Sequence, residues 1–107
     1  GAIAASIAGA VEKRFSLVML IFGGHMDALE QGHLAAACPA NYIGRIGPRP
    51  LFTANGHLDV DMIEESQVRP LFLHASEPVT HLWSNVGHTR LPEEDWAQVT
   101  KWLFEHL

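Results

Sequence analysis

Positive charge is scarce in this sequence. Seven Lys and Arg stand against twelve Asp and Glu, a formal charge of −5 over 107 residues, and the basic residues form no cluster. That balance excludes an electrostatic nucleic-acid footprint, which needs a basic patch or stripe. Cysteine is scarcer still. Cys38 stands alone, which excludes an internal disulfide framework and a thiolate metal cage and is compatible with a reducing cytoplasm. Long apolar runs are missing too. The longest, Leu17 to Phe22, is far short of the ~20 residues that span a bilayer, so no membrane partner is expected. The apolar opening has no basic leader and does not read as a signal peptide.

What is present is globular. Hydrophobic residues reach 48% against 18% charged, enough for one domain over residues 1–107. Three short apolar runs have strand character: Ser16 to Phe22, Pro50 to Asn55 and Pro78 to Ser84. They are punctuated by Gly23-Gly24, by Gly47-Pro48-Arg49-Pro50, and by Glu77-Pro78 with Gly87. Helical patterns lie around them at Gly1 to Val11, Asp27 to Ala37, Asp61 to Ala75 and Pro92 to Leu107. Asp27 is placed to cap the second, Cys38-Pro39 to stop it, and Pro70 to divide the third. The fourth opens with a proline and three acids and carries Trp96, Val99, Trp102 or Leu103, and Leu107 on one stripe. Alternating helices and continuous apolar strands predict an α/β domain in three layers, with three parallel strands flanked by about four helices.

In such a sheet, chemistry collects beyond the carboxyl ends of the strands. The loop after the second strand carries His57, Asp59 and Asp61, and the loop after the third carries His88. Neighbouring strands lie about 5 Å apart. A carboxylate from one loop can therefore orient a histidine from the next, fix its tautomer and stabilise its protonated form. Asp59 or Asp61 can supply that carboxylate to His88, and Asp61 is also placed to cap the helix that follows it. Seven histidines also raise a metal site, for which His25, His57 and His88 are the cluster to test. None of them forms an H-E-x-x-H or i, i+4 pair, so no metal or other cofactor is expected. Arg45 and Arg49 are expected in surface salt bridges, Cys38 in a buried inert position, and Trp96 and Trp102 in the core.

The stretches "GPRPLFTANGHLDVDMI" and "PVTHLWSNVGHTRLPEEDWAQVTKWLFEHL" resemble the C-terminal part of an α/β-hydrolase, closest to the dienelactone and acyl-ester hydrolases. In that family a Pro-Arg-Pro leads into a strand ending G-x-x-D, here Gly56-His57-Leu58-Asp59. A later strand ends in Gly-His, here Gly87-His88, and the chain order is serine, acid, histidine. The resemblance implies a partial α/β-hydrolase fold and a serine-type carboxylic ester hydrolase acting on small acyl esters, with Asp59 as triad acid, Asp61 in its place if the loop register slips by two, and His88 as the base. "GAIAASIAGA" is similar to the helix that follows the nucleophile elbow, which places the elbow serine just before Gly1 and leaves the oxyanion donors unassigned. Ser6 reads as an ordinary helical serine and Ser84 as a turn former. Weak activity on activated esters is therefore expected. The alternative is a non-catalytic hydrolase fragment serving as an oligomerising structural or interaction module. On either reading the unpaired edge of the first strand and the small-residue face of the first helix are expected to pack against a second copy, making a homo-oligomer.

Overall fold

The computed structural model describes residues 1–27 and 32–107. Three parallel strands form its sheet: β1 (Val18–Ile21), β2 (Leu51–Gly56) and β3 (Val79–Ser84), in the order β1-β2-β3. Register pairs Val18 with Leu51 and Leu51 with Val79, so all three strands start level; β1 stops at Ile21, opposite Ala54, while β2 and β3 run on to pair Gly56 with Ser84. Every residue of β2 is buried, as a continuous apolar strand between two neighbours and two covering layers should be. β1 and β3 form the edges.

The helices are α1 (Ala2–Val11), α2 (Arg69–Phe72) and α3 (Glu93–His106). Two apolar clusters lie on opposite faces of the sheet. On one face Ala10 of α1 packs with Val18, Leu20, Leu51, Ile43, Ile46 and Leu71. On the other, Val99 and Trp102 of α3 pack with Phe52, Ala54, Leu82, Leu91 and Phe22. The three-layered α/β arrangement expected from the sequence is what forms. Among the described residues no helix is long and apolar enough to cross a membrane.

The small residues of α1 have a partner within the same chain, where the sequence suggested a second copy. Gly9 meets β1 so closely that a Cβ there would lie 2.6 Å from Cγ2 of Val18. Gly9 and Ala10 are buried there because the helix seats its backbone directly on a β-branched strand, while Ala4 and Ala8 remain exposed. At its other end, Ala2 lies against Gly23, just past β1. So α1 begins at the carboxyl rim of the sheet and runs back toward the amino end.

Other elements depart from expectation. Of the second predicted helix, positions 28–31 fall outside the described residues, and with them the capping by Asp27. Residues 32–34 are helical, a 3₁₀ turn follows at Ala35–Ala37, and the chain turns extended at Cys38, before Pro39, because a residue preceding proline avoids the helical region. Cys38 is buried, as expected. The third predicted helix, Asp61 to Ala75, shortens to one widened turn at Glu64–Val68 followed by α2. Its first residues are drawn off by Asp59, whose carboxylate accepts the backbone N–H groups of Asp61 and Met62, and Pro70 divides what is left. In α3, Val99 and Trp102 are buried but Trp96 is 44% exposed and Leu107 77%. A sheet only three strands wide has no floor left for Trp96, which lines a crevice with Leu91 and Pro92 instead.

Arg49 is a structural residue that the sequence did not identify. Among the described residues it makes no salt bridge. Its guanidinium donates to the carbonyls of Gly9, Glu12 and Phe15 and to those of Arg45 and Ile46. It thereby satisfies the unpaired carbonyls at the end of α1, where a cation also complements the helix dipole. Arg49→Ala should lower unfolding stability by about 2 kcal/mol or more, read as a lower urea midpoint at unchanged slope; an unchanged midpoint would remove Arg49 from the account of α1.

Candidate functional site

The site is built by the way β2 and β3 continue past their ends. Beyond the ladder, His57 N–H donates to Ser84 O at 2.8 Å and Leu58 N–H to Val86 O at 3.1 Å. The two loops are thus stitched together instead of splaying apart. The stitching needs a glycine at the end of β2. A Cβ on Gly56 would stand 2.1 Å from Val86 O, so no larger residue lets the second loop close over the first. Gly56 and Gly87 bracket the crossing, and Asp59 and His88 come next on either side.

There the two meet. His88 Nδ1 lies 2.8 Å from Asp59 Oδ2. A carboxylate only accepts, so Nδ1 is the donor and carries the proton. Asp59 is held as firmly as a side chain can be. Its Oδ1 accepts the N–H groups of Asp61 and Met62, both at 2.8 Å, and none of its side chain is exposed. Buried carboxylates are costly unless their oxygens are engaged, and here three N–H groups engage them. His88 is 38% exposed at its side chain, and its Nε2 has no hydrogen-bond partner among the described residues. With Nδ1 holding the proton, Nε2 of the neutral ring presents a lone pair to solvent.

The far side of the imidazole rests on Phe22, ring centroids 5.3 Å apart at 47°. Phe22 sits at the end of β1 with φ 58°, a left-handed conformation that costs a bulky residue about 1–2 kcal/mol. Asn55, 1% exposed on β2, donates from Nδ2 to Gly23 O at 2.8 Å and ties this turn to the next strand. Neither Phe22 nor Asn55 carries a sequence signal for the site. Only Gly23-Gly24 marked the turn.

The other expected residues part company. Asp61 is exposed and caps nothing; the helical turn after it has Ile63 at its N-cap without a side-chain bond. His57 pairs through Nδ1 with Glu64 and stacks on Trp83 at 5.0 Å. Glu64 also accepts from Arg69, and these partners, His57 foremost, hold its carboxyl below the usual carboxylate range. His25 Nδ1 lies 2.5 Å from Met26 O. The three histidines therefore offer no common coordination sphere, since each side chain is drawn to its own neighbour. Among the described residues the ligand atoms compact enough for an ion belong to Asp59, Asp61 and His88, all within 4.8 Å. Both Asp59 oxygens are already taken by N–H donors, so the set reads first as a hydrogen-bonded pair. Ser6, fully buried in α1, donates to Ile3 O at 2.7 Å, as an ordinary helical serine does. Among the described residues no serine hydroxyl bonds to His88.

Compared with known proteins, the chain matches no protein-family model, no curated protein and no solved structure.

Gly56→Ala tests how the site is built. Forcing a methyl group against Val86 O should cost about 2 kcal/mol or more and abolish the hydrogen bond between His88 and Asp59. Full stability with the bond retained would show that the loop crossing does not depend on a glycine.

Proposed function

We propose that this chain carries the acid and base of a serine-type carboxylic ester hydrolase of the α/β-hydrolase kind. The single observation behind the reading is the buried, triply bonded Asp59 holding Nδ1 of His88 at 2.8 Å with Nε2 turned free. In the reaction, Nε2 takes the proton of an attacking hydroxyl as its oxygen bonds to the acyl carbon. Asp59 keeps the ring in the reactive tautomer and stabilises the imidazolium that forms. The same proton then passes to the departing alkoxide oxygen as the acyl C–O bond breaks. Asp59 acts through His88 and stays ionised.

A second observation supports the same reading. The resemblance puts the nucleophile at the start of α1, and that start lies against Gly23, next to Phe22, whose ring touches His88. Both the helix end and the acid–histidine pair thus occupy the carboxyl rim, where open parallel sheets place their ligands. Among the described residues no serine reaches His88, and a water molecule activated at Nε2 can serve as the attacking group.

The competing reading, an oligomerising module without catalysis, draws support from β1. It is an edge of the sheet, and an apolar groove beside it is lined by Ala5, Ala8, Phe15, Leu17 and Met19. Unpaired strand edges invite a second strand.

The purified chain should hydrolyse p-nitrophenyl acetate slowly, and His88→Ala should lower kcat/KM at least tenfold, as loss of a general base does. Asp59→Asn should do the same by releasing the tautomer. Rates unchanged in both variants would refute the hydrolase reading. A well-folded oligomer by light scattering with no activity would favour the module.

A further inference from the structure

We infer that Phe22 is a positioning residue for His88: the strained turn at the end of β1 presses its ring against the imidazole and holds the ring where it reaches Asp59. This rests on the general-base reading of His88 and assigns the group that makes it competent.

The distribution of backbone strain points there. Of the three residues Phe22, Gly23 and Gly24, only the phenylalanine has a positive φ. A glycine would bear that conformation freely, yet both glycines avoid it. They are small for want of space: a Cβ on Gly23 would lie 3.1 Å from that of Ala2, and one on Gly24 would lie 2.9 Å from Met62 Sδ. The left-handed position falls on the one residue of the turn with a side chain, so it serves to aim that side chain. It is also over-determined, as a strained residue must be. Phe22 N–H donates to Ala54 O at 2.7 Å, and Gly23 O accepts from the buried Asn55 amide.

His88 needs such a wall. It stands on an exposed loop, and one hydrogen bond at Nδ1 leaves the imidazole free to swing away from Asp59 whenever that bond opens. Phe22, only 8% exposed, closes the inner side of the ring and leaves the Nε2 edge to the reactant.

The test compares Phe22→Leu, which keeps apolar bulk without a flat ring, with Phe22→Tyr, which keeps the ring. Two readouts are taken on each whole chain: the imidazole ¹H–¹⁵N spectrum of His88 and ester hydrolysis. The leucine variant should lose the single Nδ1-protonated signal and show a mixture of tautomers. Its kcat should fall about tenfold with KM changed less than about twofold, as expected when a catalytic group is misplaced and binding is untouched. The tyrosine variant should retain both. Leucine retaining the wild-type spectrum and kcat would overturn the proposal, as would tyrosine losing them equally. If the leucine variant does not fold, cross-relaxation between Phe22 and His88 ring protons in the wild type decides: its presence supports the contact and its absence overturns it. The spectrum is read whether or not esters are cleaved, so failure of the hydrolase reading alone leaves this result distinct.

Discussion

The carboxylate of Asp59 is the constraint on which the rim of this molecule depends. Completely shielded from solvent, it must be met by donors or it would destabilise the fold by several kcal/mol. Three N–H groups meet it: two from the backbone just after it and one from the imidazole of His88. Each has a structural consequence. The backbone pair wraps residues 59–62 into a tight turn and shortens the helix that the sequence pattern would have begun at Asp61. The imidazole draws the loop after β3 across to the loop after β2. The same bonds that keep a buried charge tolerable also fix which nitrogen of His88 faces Asp59.

The sheet supplies the precision. Three parallel strands that start level deliver their carboxyl ends to one rim, and each end contributes a different part. β1 gives the turn with Phe22, β2 gives Asn55 and Asp59, and β3 gives the loop with His88. Tight glycine contacts join them, at Gly56 to Val86 O and at Gly23 to Ala2. α1 is seated on β1 and its end is closed by Arg49, so the helix that starts at the rim is fixed along its length. A site assembled on strand ends in this way is held more closely than one built from free loops.

Strands, layers and the acid–base pair were legible in the residues because each rests on a local rule. Continuous apolar runs between turn formers made three strands, and the rule that chemistry gathers at strand ends pointed to the loops carrying His57, Asp59, Asp61 and His88, among which the resemblance picked Asp59. What was not legible depends on contacts distant in sequence. Nothing near Arg49 says that it closes the end of a helix forty residues earlier, and a lone charge there reads more simply as a surface pair. Nothing around Phe22 announces a left-handed backbone, because glycines stand beside it and would ordinarily take that role. Trp96 looked like core because a helical stripe does not reveal how wide the sheet beneath it is. The small-residue helix reads as a close-packing surface, and only the tertiary structure shows that its Gly9 side meets β1. The three histidines of the metal hypothesis shared a general location but not an orientation, which sequence spacing cannot supply.

The central claim is that Asp59 holds the proton on Nδ1 of His88 and leaves Nε2 free. The most direct measurement is the protonation state of the two ring nitrogens in the unmodified chain, by imidazole ¹⁵N chemical shifts in the pH range where the ring is neutral. The account predicts one tautomer, with Nδ1 bearing the proton and Nε2 bare. A ring protonated at Nε2, or exchanging freely between the two forms as an unrestrained histidine does, would contradict it.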